Sequence, residues 1–131
     1  MKITTEILDE LSQRAKESEM LRTHLDLRNS PADQSQRMLN AMEPGTKVPI
    51  HRHPTTNETV ILLRGSVKEL IYDNEGNLTE EVILKAGSEP NAMSIPSGTW
   101  HGLECLEEGT ILFEAKDGPF APRKEEDIMK L

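Results

Sequence analysis

The chain has 131 residues, 35% hydrophobic and 29% charged, with a net charge of −8 and one Trp, one Tyr and two Phe. That is the size of one domain able to bury a core unaided, and the composition excludes a disordered chain. No stretch reaches the roughly 18 apolar residues of a membrane helix, no basic-then-apolar signal opens the chain, Cys105 has no disulfide partner, and no basic stripe suits nucleic acid, so a cytoplasmic, membrane-free protein is expected.

Residues 4 to 17 carry Ile7, Leu8, Leu11 and Ala15 at helical spacing, with Glu6, Asp9 and Glu10 in the opening turns. This predicts a short amphipathic helix that plugs one end of the core or covers a sheet edge. Arg22 to Arg28 alternates as a strand and stops at Asn29-Ser30-Pro31. From residue 36 the chain reads as short strands: Gln36 to Met42, Val48 to His53, Glu58 to Leu63, Ser66 to Tyr72, Leu78 to Leu84, Ala92 to Ile95, Trp100 to Leu106 and Thr110 to Ala115. Breakers such as Glu43-Pro44-Gly45, Arg64-Gly65 and Pro96-Ser97-Gly98 separate them, which predicts an all-β sandwich or barrel. One domain is expected overall: a helix-and-strand extension over 1–35, a barrel over 36–118, and a loosely held Pro-rich, charged arm over 119–131. The stretch Thr59 to Leu63 is apolar on both faces, so a second layer or a partner subunit should cover it, and a homodimer follows as an expectation.

The chemistry concentrates in two motifs. Gly45 is followed after five residues by His51-Arg52-His53, then after four by Glu58 and after six by Gly65; far downstream comes Pro96-Ser97-Gly98-Thr99-Trp100-His101. On a strand, His51 and His53 leave the same face and share one cation. Pro54-Thr55-Thr56-Asn57 reads as a turn that lets Glu58 open the returning strand beside them, and His101 joins by tertiary folding. Three of the four histidines fall in these motifs. The set His51, His53, Glu58 and His101 therefore predicts a divalent metal site with open positions, suited to iron, manganese, nickel, copper or zinc. Cys105 shares the parity of His101 but lies about 13 Å further along the strand, so it is expected to be a small buried residue. Trp100 and Phe113 are expected in the core. Arg22, Arg28, Arg37 and Asn40 are candidates to grip an anionic or hydroxylated ligand at the barrel mouth, with surface ion pairs the alternative for the arginines. His24 joins them as the candidate catalytic group, since it exchanges a proton near neutral pH.

These residues resemble the two signature motifs of the cupin superfamily, with Gly45, His51, His53, Glu58 and Gly65 matching the first and Pro96, Gly98 and His101 the core of the second. Cys105 stands where an asparagine often follows, and Gly87 is the nearest glycine to the one usually found six before the proline. Gln36 to Thr46, His51-Arg52-His53-Pro54 and Ile61-Leu62-Leu63-Arg64-Gly65-Ser66 look like the WbuC family of cupin metalloproteins, a likeness that extends over nearly the whole chain, including Arg22 and His24. The resemblance implies a double-stranded β-helix (jelly-roll) barrel with a helical N-terminal extension, a bound divalent metal such as Zn, Fe, Mn or Ni, dimerisation, and a link to O-antigen polysaccharide synthesis. The expected function is an isomerase, epimerase or oxygenase acting on a small polar ligand such as a sugar or nucleotide-sugar intermediate; the alternative is a non-catalytic metal-dependent binder or sensor.

Overall fold

The computed structural model describes residues 1–130. Helix α1 spans Thr5–Glu17 and is capped by Thr4, whose hydroxyl accepts the Ile7 N–H at 3.4 Å. Eight strands follow: β1 (Arg22–Asp26), β2 (Gln36–Met42), β3 (Glu58–Arg64), β4 (Ser66–Tyr72), β5 (Leu78–Lys85), β6 (Ala92–Ile95), β7 (Trp100–Cys105) and β8 (Thr110–Lys116), with a short 3₁₀ turn at Glu125–Asp127. They form two antiparallel sheets, ordered β1-β2-β8-β3-β6 and β5-β4-β7, so the expected all-β barrel with an N-terminal helix and extra strand is the fold observed.

Side-chain parity divides these sheets into two kinds of packing. On β2 and β8 the odd-numbered Leu39, Ala41, Ile111 and Phe113 point outward and pack with Leu11 and Ala15 of α1, and with Leu25 and Leu27. The helix therefore covers the outer face of the larger sheet. Inward-pointing residues then change character along each strand. Met42, Val60, Leu62, Val67, Cys105 and Leu112 fill one end of the barrel as an apolar core. At the other end the same strands contribute Asn40, Glu58, Glu69, His101 and Glu114. Burying apolar area at one end stabilises the sandwich at about 25 cal/mol per Å² and leaves the polar end open for chemistry.

Two sheets must approach closely at the closed end, and Gly65 permits it. It sits at φ +71°, and a Cβ there would lie 2.2 Å from Thr110 Oγ1. Thr110, fully buried, donates to the Glu107 carbonyl at 2.7 Å.

Several expectations are corrected. Val48 to His53 is not a strand: only His51 makes an isolated bridge, on one side to His101 and on the other to Ile128. Pro49 has no N–H to contribute to a ladder, and neighbouring residues bond elsewhere, Arg52 N–H to the Asp127 carbonyl at 3.0 Å and the Ile50 carbonyl to Met129 N–H at 2.8 Å. Those bonds also tie down the stretch expected to be a loose arm. An ion pair between Arg52 and the buried Asp127, at 2.9 Å, fixes it further. Phe113 packs as expected, but Trp100 is only half-buried and stacks under the Arg52 guanidinium, 4.6 Å from the ring centre. On β3 the outward Leu63 remains 41% exposed, because α1 lies over β1, β2 and β8 instead.

Candidate metal centre

Turn chemistry gathers the ligands. The Gly98 N–H donates to the His53 carbonyl at 2.8 Å, joining the second motif's turn to the first motif. Asn57 adds a three-way tie: its Oδ1 accepts the Ser97 N–H at 2.9 Å and its Nδ2 donates to Asp117 at 2.7 Å, while Asp117 also accepts the Asn57 N–H at 2.8 Å. The start of β3, the turn before β7 and the end of β8 are thereby pinned together. His51 and His101 face each other through paired backbone bonds of 2.9 and 2.8 Å.

The imidazoles of His51, His53 and His101 converge, with one ligand atom from each lying within 4.8 Å of the others. His51 and His101 are buried, and His53 is partly so. Nδ1 of His51 lies 2.8 Å from the Pro49 carbonyl and Nδ1 of His101 lies 3.0 Å from that of Thr99. A carbonyl only accepts, so Nδ1 of each carries the proton and Nε2 presents its lone pair to the cavity, the orientation a metal ligand needs. Buried Glu58 joins them, its Oε2 3.0 Å from Nε2 of His53 and 3.3 Å from Nε2 of His101. That oxygen makes no properly directed hydrogen bond. A buried carboxylate oxygen left orphaned beside three imidazole nitrogens fits a shared cation, as does the 3-His, 1-carboxylate donor set itself.

Electrostatics reinforce this fit. Burial, followed by the charge of His101, holds His51 down to about 3, so it offers a free lone pair throughout the neutral range. Burial opposes the charging of His101, but the Glu58 carboxylate beside it outweighs that and raises its pKa. Burial likewise opposes ionisation of Glu58, yet the imidazoles of His101 and His53 alongside it pull its carboxyl well below the usual range.

Around this centre lies a cavity of about 260 Å³, whose lining includes Gln36, Met38, Asn40, Met42, Glu69, Leu103, Glu114 and Lys116. Glu69 is 2% exposed, and its Oε2 has no hydrogen-bond partner. Burial, then the Glu58 charge, pushes the Glu69 carboxyl up to about 8. The same two causes push Glu114 up to about 7, with Lys116 Nζ 3.8 Å away acting against them. Two carboxyl groups that hold protons near neutral pH thus face the three imidazoles.

Of the ligand-gripping candidates, Arg22 and Asn40 line this cavity. The others are engaged elsewhere. Arg28 forks onto Asp26 and lies over the Phe120 ring, and Arg37 pairs with Asp33 at 3.0 Å. His24 sits opposite Asn40 in register but on the edge strand, exposed and outside the cavity lining. Sequence reasoning missed Glu69 and Glu114, although each shares inward parity with an apolar residue two positions before it, Val67 and Leu112, and it missed the tie made by Asn57.

The barrel and its histidine-lined cavity define a cupin-fold protein with a three-histidine group able to hold a metal. The chain belongs to the family described as "Domain of unknown function (DUF6016)", whose model matches residues 3–84. No curated protein matches it. Similar solved structures include Bacillus subtilis oxalate decarboxylase OxdC as the E162A mutant, at TM-score 0.60 and 21% identity, covering 84% of this chain and 28% of that one. KdgF from Halomonas sp. aligns at TM-score 0.59 and 17% identity, covering 76% and 82% respectively. The capsular polysaccharide assembling protein CapF from Staphylococcus aureus aligns at TM-score 0.63 and 22% identity, covering 76% of this chain and 27% of that one. The chain thus spans little more than a quarter of the oxalate decarboxylase and CapF chains. At these identities the likeness carries the fold alone.

Proposed function

We propose that this chain is a divalent-metal cupin, akin to the WbuC proteins, that acts on a small hydroxylated metabolite such as a sugar or the sugar part of a nucleotide-sugar intermediate in surface polysaccharide synthesis. The observation that carries the reading is the convergence of the three imidazoles beside the orphaned Glu58 oxygen, inside a cavity where the Glu69 Oε2 is also without a partner. Its volume of about 260 Å³ falls just below the usual range of ligand pockets, which starts at about 300 Å³, so a single ring fits inside and anything larger extends through the mouth.

His51, His53, Glu58 and His101 would hold the metal, which when bound supplies Lewis-acid polarisation and, with a redox-active ion, a route to oxygen chemistry. The remaining work falls to the chain's own groups. Asn40 offers its amide to ligand hydroxyls at one wall, where the neighbouring Gln36 amide is already bonded to the Gly118 carbonyl. Glu69, pushed up to about 8, and Glu114, pushed up to about 7 and so divided between its two forms at neutral pH, each donate a proton or receive it back at a substrate oxygen or carbon held between them and the imidazoles. The proton-handling part expected of His24 passes to these two acids, because His24 lies outside the cavity lining. The wholly metal-independent route, with a tyrosine as acid, is disfavoured: the single tyrosine, Tyr72, does not line the cavity.

The test begins with metal analysis of the purified protein, followed by a panel of sugars and nucleotide-sugars with and without oxygen. Retained metal and turnover of at least one hydroxylated substrate are expected; a metal-loaded protein that neither binds nor converts any member of the panel overturns the proposal. Dimerisation through the exposed Leu63 face of β3 belongs to the same reading, and a monomer in sedimentation analysis would refute that part.

A further inference from the structure

The C-terminal segment brings to the cavity mouth a residue that no motif singles out. Arg123 lines the cavity together with Arg22, which arrives from the opposite end of the chain on β1. Most arginines of this acidic protein are neutralised by aspartates: Arg28 by Asp26, Arg37 by Asp33, Arg52 by Asp127 and Arg64 by Asp9. Arg22 and Arg123 have no such partner among the described residues. Arg22 is instead steered by neutral acceptors, the Lys47 carbonyl and Thr46 Oγ1, the latter at 3.4 Å. Although Arg123 is exposed as a residue, partial desolvation, then the like charge of Arg22, lowers its pKa against the opposing pull of the Glu58 and Glu114 carboxylates, so Arg22 and Arg123 lie close enough to repel. Lys116, paired with Glu114, stands on the same wall, and the Asp127-paired Arg52 and Lys124 line the adjoining groove. In a chain of net charge −8, two arginines without an acidic partner at one cavity leave a local positive spot that attracts an anion.

We propose that Arg22 and Arg123 form an anion subsite at the mouth of the metal cavity, and that the ligand is a small hydroxylated molecule bearing a carboxylate or phosphate group. The anionic group lies between the two guanidinium forks, each able to donate two parallel bonds to it. The hydroxylated part then extends inward, toward Asn40, Glu69 and Glu114. Both guanidinium groups lose their mutual repulsion once the anion is bound. This subsite rests on the function proposed above and narrows its substrate class.

The test uses the full, metal-loaded chain in calorimetric titrations with inorganic phosphate, D-glucuronate and, as neutral control, D-glucose. At least one anion is expected to bind about tenfold more tightly than glucose, and R22Q and R123Q each to weaken it about tenfold, the effect of losing a charge-assisted bond. Whichever anion binds names the group the subsite takes. Metal content in both variants should equal that of the unaltered protein, and R123K should restore part of the affinity. Anion binding that survives R123Q, or equal affinity for glucose, overturns the subsite. A protein that retains no metal yet still loses phosphate binding on R123Q would sink the metal-centred function and leave the subsite standing.

Discussion

Replacing Glu69 by Gln tests how the polar end of the barrel is held together. Glu69 is 2% exposed with an unpartnered carboxylate oxygen, and its carboxyl is pushed from 4.5 up to about 8, chiefly by burial and then by the Glu58 charge. A raised carboxyl favours the fold only while it holds its proton. That contribution is whole below 4.5, is lost as pH climbs from 4.5 to about 8, and is gone above. At 1.36 kcal/mol per pH unit, the whole displacement amounts to roughly 5 kcal/mol, an upper bound that water reaching the cavity reduces to about 2–3 kcal/mol. Glutamine mimics the protonated acid and never ionises. In metal-free protein, E69Q should match the unaltered chain at pH 5 in urea-unfolding midpoint and exceed it by about 2–3 kcal/mol at pH 8.5. Loading a divalent metal should shrink that difference, since the cation offsets the negative charge facing Glu69. A stability difference between the two proteins that is flat from pH 5 to 8.5 would refute the reasoning.

Four further outcomes are expected. Gly65→Ala should lose about 2–4 kcal/mol in chemical denaturation, because its φ of +71° is unfavourable for alanine and the new Cβ would sit 2.9 Å from the Thr110 Cα; a loss below about 1 kcal/mol would show that the closed end can relax. Asn57→Ala removes two side-chain bonds that tie the segments bearing Glu58 and His101 to each other and to the end of β8, so it should lower stability by about 1–2 kcal/mol and weaken metal affinity in competition with a chelator, although Asn57 touches no ligand atom. His53→Ala should cut metal content sharply while Cys105→Ser leaves it near unchanged, as read by elemental analysis, because the Cys105 thiol points at the Met42 and Glu107 carbonyls in the closed end. Metal affinity should fall by about tenfold per pH unit below the raised pKa of His101, whose proton competes with the cation, whereas His51, held near 3, adds no competition above pH 4; an affinity constant between pH 7 and 5 would contradict the assignment of His101 as a ligand.

Spacing made the centre legible because chelation imposes rules that short-range geometry can meet. His51 and His53 differ by two, Glu58 follows one turn, and a Pro-x-Gly turn delivers His101, and these are the residues found together. Short strands separated by regular Gly- and Pro-containing breakers likewise announced the barrel. Other features needed tertiary information. Val48 to His53 alternates like a strand, but its backbone partners come from β7 and from the C-terminal segment, so no continuous ladder forms. Arg28 and Arg37 looked free to bind a ligand, yet Asp26 and Asp33 lie two and four residues away and engage them. Glu69 was readable in principle, as a charge at inward parity between Val67 and Ile71. Arg123 was not, since nothing local says that a proline-rich tail folds back over a cavity built seventy residues earlier.

That tail has a bearing on how the protein matures. His51 is clasped between β7 and Ile128, and Arg52 leans on Asp127, so the segment carrying two of the imidazoles acquires its last backbone neighbours only after residue 128 has been synthesised. A ribosome releases the N-terminus first. Newly made chains therefore carry all four donors before the clasp can close, and the cation must either wait for the final residues or be taken up by a half-braced loop that tightens around it afterwards.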